Sequence, residues 1–373
     1  MRQQVFDIMK FWADKGIDGF RLDAFQFAAK DTTFPDFPKG FEKNFSQYYA
    51  MQGNLHGYLQ QMYKEVLSKY NVMSVAEGAG NSFTDAHNLV DSSRHELNMA
   101  YAFDGVNIAK PSGYSLLHFK EVFSRWDSAF QSNGWLSIFL ANHDQARMVS
   151  RFGNDEPAYR ALSSEMLTTF IMTMRGTPYY YNGDELGMTN IGFTNIKDYR
   201  DVQTLNAYQH EKNIGGDLKK FMKSEASSAR DNSRTPFQWN NSANAGFTAG
   251  TPWIKVNSNY NTINEESEAK DSNSVLNYFR KVVRLRKDNL VLVYGKYKLL
   301  DKANPDVYAY TRTGNGEKVL ILLNFTTHNA TANIGIDLKN ASLILSNYDH
   351  APSFNAKTIT LRPYQAAIYR LVF

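Results

Sequence analysis

One unit recurs through the first half of the chain: a helical stretch, then a short apolar run that closes on an acidic residue. Val5, Ile8, Met9 and Trp12 repeat at i, i+3, i+4, i+7, the period of an amphipathic helix. Gly16 stands where a C′ residue would close that helix, and the run that follows, residues 17 to 25, reads as a buried strand carrying Asp23. Helical sequence from about 55 to 70 leads to a strand near 72–77 ending at Glu77. Another helix, about 116–131, leads to a strand near 135–141 and then to Asn142, His143 and Asp144. A helix over 159–175 precedes a fifth strand at 177–181, and a further strand is expected near 98–103.

Helices alternating with short apolar strands specify parallel βαβ units. The loops after the strands are long and the acids sit at strand C-termini, the rim on which a (β/α)8 barrel carries its chemistry. The expected fold class is therefore α/β, with five recognisable strands where a closed TIM barrel needs eight. From residue 184 to about 271 the chain is polar and rich in Asn, Gly and Ser, and an extended loop region is expected there. A final helix near 274–286 precedes a change of texture. Beyond residue 291 short alternating runs, such as 307–310, 319–324 and 366–369, are separated by turns such as Gly314-Asn315-Gly316. That is the pattern of an all-β sandwich. Two domains are expected: a partial barrel over 1–290 and a β-sandwich over 291–373.

Composition narrows the function. The 41 basic and 37 acidic residues leave a net charge of +4, with no run of Lys or Arg, so no nucleic-acid partner is expected. No apolar stretch approaches the ~18 residues of a membrane span. With no signal peptide ahead of the first helix, the expected compartment is the cytoplasm. Cysteine is absent, which removes disulfides, thiolate nucleophiles and Cys-type zinc sites. The eight His are scattered and no HExxH occurs, so no metal site is expected. Aromatic residues make up 14%, enough for core packing and leaning towards a sugar-binding cleft.

Three segments, in order and each at a strand end, carry a resemblance: Gly19-Phe20-Arg21-Leu22-Asp23, Val75-Ala76-Glu77 and Asn142-His143-Asp144-Gln145. A fourth, Ser228 to Trp239, reads Ser-Ala-Arg-Asp-Asn-Ser-Arg-Thr-Pro-Phe-Gln-Trp. Together they resemble the signatures of the α-amylase family of glycoside hydrolases, in its α-glucosidase and oligo-1,6-glucosidase branch. The resemblance implies a nucleophile at Asp23, a general acid/base at Glu77 and a third acid at Asp144. It implies substrate contacts from Arg21, His143, Arg147 and Arg234. Retaining cleavage needs one carboxylate to attack the anomeric carbon and a second to protonate the leaving oxygen, about 5–5.5 Å apart. Glu77 is then expected to carry the proton and Asp23 the charge. Arg21, two residues before Asp23 on the same strand face, would favour the ionised nucleophile.

Taken singly, Asp23 or Glu77 could equally cap the next helix. His143 alone could be structural, and Arg230, Asp231 and Arg234 alone a surface ion-pair cluster. The matching order favours the catalytic reading. All three acids are expected to converge on one pocket. The implied activity is that of a retaining exo-α-glucosidase acting on maltose- or isomaltose-type oligosaccharides. Ala24, directly after the nucleophile, leans towards α-1,4 linkages, while Gly78-Ala79-Gly80 departs from the branch's usual Met-Pro-Gly and implies a different leaving-group side. The alternatives are a transglycosylating relative, such as a sucrose isomerase or trehalose synthase, and a non-enzymatic interaction protein of the same fold. The partner is expected to be a small oligosaccharide, and no cofactor is expected. The family's first three strands, an inserted small domain, an Asn-His signature and any calcium loop have no counterpart in these residues. The expectation is hence the carboxyl portion of such an enzyme, about strands 4 to 8, inactive by itself.

Overall fold

The structure, a computed structural model, describes residues 1–355 and 357–371, so Ala356 and the last two residues of the expected sandwich domain lie outside it. The described chain divides into two compact units. The first comprises Met1–Asp104 with Arg125–Ile138, the second Gly105–Ser124 with the described residues from Phe139 onward.

In the first unit four strands run parallel, in chain order: β1 (Gly19–Leu22), β2 (Met73–Ala76), β3 (Met99–Tyr101) and β4 (Leu136–Ile138). This is the succession expected of an α/β barrel. β1 and β2 pair from Gly19↔Met73 to Leu22↔Ala76. Their start is so close that a Cβ on Gly19 would stand 2.5 Å from the Met73 carbonyl oxygen, so any side chain there would push the two strands apart. Phe20 and Leu22 pack against an apolar core that includes Leu55, Leu59, Met62, Leu89 and Phe130. Period-2 alternation therefore turns Arg21 and Asp23 to the opposite face.

The first helix, Arg2–Asp14, ends as expected, with Gly16 at φ +88°. Its buried face is different from the one its periodicity predicts. Phe6, Met9 and Ala13 are buried, whereas Val5, Ile8 and Trp12 are exposed. The helix is apolar on two sides, and spacing alone does not say which side meets the core.

The second unit holds β5 (Thr177–Pro178), the buried helix Arg160–Thr173 and the helix Val275–Asp288. Inside the buried helix Thr168, Thr169 and Thr173 each donate to the carbonyl four residues back, and share hydrogen bonds with the hydroxyls of Tyr180, Tyr278 and Tyr310. Each of these three buried threonine hydroxyls is thereby satisfied. Two buried arginines serve the C-terminal carbonyls of the same helix. Arg286 donates to Met172 and Met174 at 2.7 and 2.9 Å, and Arg312 to Thr173. Cations are favoured there because unpaired carbonyls make a helix C-terminus negative.

Residues 184–271 correct the expected loop. They contain the helices Val202–Asn213, Leu218–Ser228 and Glu265–Lys270. The Asp217 carboxylate caps the second, accepting from Lys219 and Lys220 N–H at 3.0 Å. Only Thr204 is fully buried in the first, which shows no apolar stripe, while in the second Leu218, Phe221, Met222 and Ala226 are half-buried at the helical period.

The C-terminal strands form the expected antiparallel sandwich. They are β6 (Lys296–Leu300), β7 (Val307–Gly314), β8 (Glu317–Asn324), β9 (Ala330–Asn333), β10 (Ser342–Ser346), β11 (Ser353–Asn355), β12 (Thr358–Leu361) and β13 (Ala366–Leu371). One sheet has the order β10-β13-β8-β7-β6, the other β11-β12-β9. Val307, Ala309, Leu320, Leu322 and Ala367 of the first meet Ala330, Ala332, Ile359 and Leu361 of the second. Asn315 and Gly316, at φ 54° and 76°, turn β7 into β8. Positive φ at both positions is the tight-hairpin geometry that Asn-Gly favours.

Candidate active site

Asp23 and Glu77 each follow the last residue of a strand, and those last residues, Leu22 and Ala76, are in register. The Glu77 N–H donates to the Leu22 carbonyl at 3.0 Å, extending the ladder by one step. Two carboxylates 54 positions apart in the chain are thus set level on adjacent parallel strands. Arg21, one pleat earlier on the Asp23 face, joins them: its guanidinium donates to Asp23 Oδ1 and lies 2.8 Å from Glu77 Oε1. A planar fork that holds both acids limits their separation to little more than its own width and two hydrogen bonds.

Burial acts to lower the Arg21 pKa, but the hydrogen bond it donates to Asp23 and the charges of Glu77 and Asp23 outweigh it and hold the guanidinium above its ordinary value. Arg21 is a permanent cation between two acids. The second Glu77 oxygen accepts the Ala24 N–H at 2.7 Å. To offer it, Ala24 adopts φ 46°, a left-handed conformation that a non-glycine residue takes at a cost of roughly 1–3 kcal/mol. Beyond Glu77, Gly78 and Gly80 have φ of 97° and 78°. Asn81 is tied to Ser46 by two hydrogen bonds of 2.8 and 3.1 Å. The Asp23 side chain is 71% exposed, that of Glu77 only 20%.

In the second unit Asn142 Oδ1 accepts the Asp144 N–H at 2.8 Å, a side-chain turn that presents the carboxylate. Asp144 Oδ1 accepts from Arg230 at 3.0 Å and Arg234 at 2.9 Å, and His143 Nε2 lies 3.4 Å from Oδ2. Arg234 also donates to the His143 carbonyl at 2.8 Å. Arg230 is gripped from behind by Asp201, in two bonds of 2.6 and 3.0 Å. The hydrogen bond to Asp201 is the chief reason its pKa lies above the ordinary value. Asp201 is positioned in turn by buried Asp231, whose Oδ2 accepts the N–H groups of Arg200 and Asp201 at 2.6 and 2.9 Å. The result is a lattice of two arginines and two carboxylates, with Asp144 at its outer edge.

Of the residues expected to act on substrate, Arg21, Asp23 and Glu77 come together in one unit, and His143, Asp144 and Arg234 in the other. Arg147 does not join them at a surface. It is fully buried, donates to the Asn182 carbonyl at 2.5 Å and lies 4.0 Å from Asp184 and over the Tyr181 ring. Burial pushes the Asp184 carboxyl up to about 7 despite that arginine. In this structure Arg147 organises a core. Asp201 was missed by sequence reasoning, because it lies in the polar stretch read as loop. Its one sequence signal is an Asp directly before a helix start. Among the described residues no cluster of three or more His, Asp or Glu is placed to hold a metal ion, and no helix is long and apolar enough to cross a membrane.

Comparison with known proteins places the chain in a family. Residues 1–295 match the model of the alpha amylase catalytic domain, and residues 297–368 that of the maltogenic amylase C-terminal domain. The chain is 41% identical to an oligo-1,6-glucosidase of Parageobacillus thermoglucosidasius, over 100% of this chain and 68% of that protein. It is 38% identical to a trehalose-6-phosphate hydrolase of Bacillus subtilis (strain 168), over 100% of this chain and 67% of that protein. Among solved structures, the isomaltulose synthase of Klebsiella sp. LX3 superposes with a TM-score of 0.93 at 36% identity, covering 100% of this chain and 68% of that one. The chain belongs to the α-amylase family of glycoside hydrolases.

Proposed function

We propose that the protein is a retaining exo-α-glucosidase that releases terminal α-linked glucose from short maltose- or isomaltose-type oligosaccharides. The observation that carries this reading is the single guanidinium shared by Asp23 and Glu77 at adjacent strand ends. Retention takes two carboxyl groups at close spacing, about 5–5.5 Å, and a shared arginine fork is compatible with it.

In the proposed mechanism Asp23 attacks the anomeric carbon, kept ionised by Arg21 beside it. Glu77 protonates the departing oxygen and then takes a proton from the water that releases glucose. Asp144, held by Arg230 and Arg234, accepts hydrogen bonds from sugar hydroxyls, and His143 adds a donor. The 373 residues expressed by themselves are expected to turn over substrate poorly, because a nucleophile 71% exposed stays hydrated.

The test uses the protein as its own cells make it. Asp23→Asn should abolish hydrolysis of p-nitrophenyl α-glucoside, and Glu77→Gln should lose maltose turnover but regain turnover of activated glucosides when azide is supplied. An Asp23→Asn variant that keeps full activity would sink the reading. Transfer in place of hydrolysis is a second reading, favoured by the structural likeness to the isomaltulose synthase. Products from sucrose separate the two: free glucose and fructose for hydrolysis, an isomeric disaccharide for transfer.

A further inference from the structure

A cavity of about 490 Å³ in the second unit is lined by Lys110, Gln145, Ser150, Arg151, Ser227 and Ser228 among others, and no carboxylate lines it. It adjoins the acid–arginine lattice through the chain: Gln145 follows Asp144, and Ser228 stands two residues before Arg230. Its charge is unbalanced. Arg151 is fixed by the carbonyls of Leu140, Val106 and Ala109 at 3.3, 2.5 and 3.4 Å. Among the described residues neither Arg151 nor Lys110 has a carboxylate within ion-pair distance. Burial pushes the Arg151 guanidinium down to about 10, against a weaker pull from Asp184, so it remains a cation at neutral pH.

The cavity is also built to donate. Lys110 is presented by a closed turn in which Gly113 N–H donates to the Lys110 carbonyl at 2.8 Å and Gly113 takes φ 97°. Ser150 Oγ accepts the Asn190 N–H at 2.9 Å, which leaves its own proton to give. Two unpaired cations with hydroxyl and amide donors fit a dianion with several acceptor oxygens. A phosphate monoester carries nearly two charges and three acceptor oxygens, where a carboxylate carries one charge.

We propose that this cavity binds a phosphorylated hexose, with its phosphate set against Lys110 and Arg151. Only the sugar part of this inference rests on the glycosidase reading, and the anion part stands on the cavity alone. Calorimetric titration of the protein as its cells make it, with glucose 6-phosphate, glucose and inorganic phosphate, tests both parts. Glucose 6-phosphate should bind at least tenfold more tightly than glucose and more tightly than inorganic phosphate. Exposed Lys110 permits a variant that folds: Lys110→Gln should remove most of that preference, and Lys110→Arg should restore it. Equal affinity for glucose 6-phosphate and glucose, or a preference unmoved by Lys110→Gln, overturns the anion site. Inorganic phosphate binding as tightly as glucose 6-phosphate overturns the sugar phosphate as its ligand. None of these readouts needs turnover, so they stand or fall separately from the Asp23→Asn result.

Discussion

Glu165 offers a sharp test of the energetics, because it is buried in the helix Arg160–Thr173 without an adequate counter-charge. Burial, the largest influence, pushes its carboxyl from the ordinary 4.5 up to about 8, against a hydrogen bond from Asn347 and weaker attractions from Arg160 and Lys281. Between those two pH values the folded chain holds a proton that the unfolded chain has released. Stability therefore falls as pH rises through this window, and the loss is complete above about pH 8. A tenfold change in proton affinity is worth ~1.4 kcal/mol, so the full loss is as much as ~5 kcal/mol. Glu165→Gln keeps the shape, keeps a carbonyl to accept from Asn347 and cannot ionise. It should match the parent near pH 4.5 and exceed it by ~3 kcal/mol or more above pH 8. Thermal unfolding of both proteins across pH 5 to 8.5 checks this, with a Tm difference that widens steadily with pH. A difference that stays constant, or a variant less stable at the alkaline end, would refute the buried neutral carboxyl.

Gly19→Ala introduces a methyl 2.5 Å from a backbone oxygen of the neighbouring strand. It should cost about 1–3 kcal/mol of stability by spreading β1 from β2, and lower kcat by moving Asp23 against Glu77; denaturant titration alongside glucoside turnover reads both. Asp201→Asn weakens the rear grip on Arg230 and should lower kcat/KM at least about tenfold, ~1.4 kcal/mol, while Tm changes little. Restored turnover in an Arg230→Lys, Asp201→Glu pair would show that charge without the bidentate geometry is enough, contrary to this account.

Much of the architecture is legible in local pattern. Short apolar runs after helices mark β1, β2 and β4, a glycine marks the end of the first helix, and Asn315-Gly316 marks the hairpin of the sandwich. Each is a matter of period or of one residue's backbone freedom, which neighbours in sequence decide. The helices Val202–Asn213 and Leu218–Ser228 escaped notice for the complementary reason. The first has no apolar stripe and the second only a short one, Leu218, Phe221 and Met222, set in a polar stretch, so caps such as Asp217 carry most of their signal.

The candidate site divides along the same line. Asp23, Glu77 and Asp144 stand out in the sequence as candidates because each belongs to a recognisable motif, the first two directly after a strand and Asp144 six residues beyond the end of β4. Which partners hold them was not, since Arg230 reaches Asp144 across 86 positions and Asp201 across 29. Arg147 and Arg234 look alike as charged residues near an acid motif, yet one is sealed in a core beside Asp184 and the other faces Asp144. The amino-acid order determined where strands end and which acids they present, because those features depend on backbone geometry over a few residues. Tertiary packing alone decided which cation each acid meets and which face of a two-sided helix is covered, because burial and long-range pairing exist only once distant segments are brought into contact.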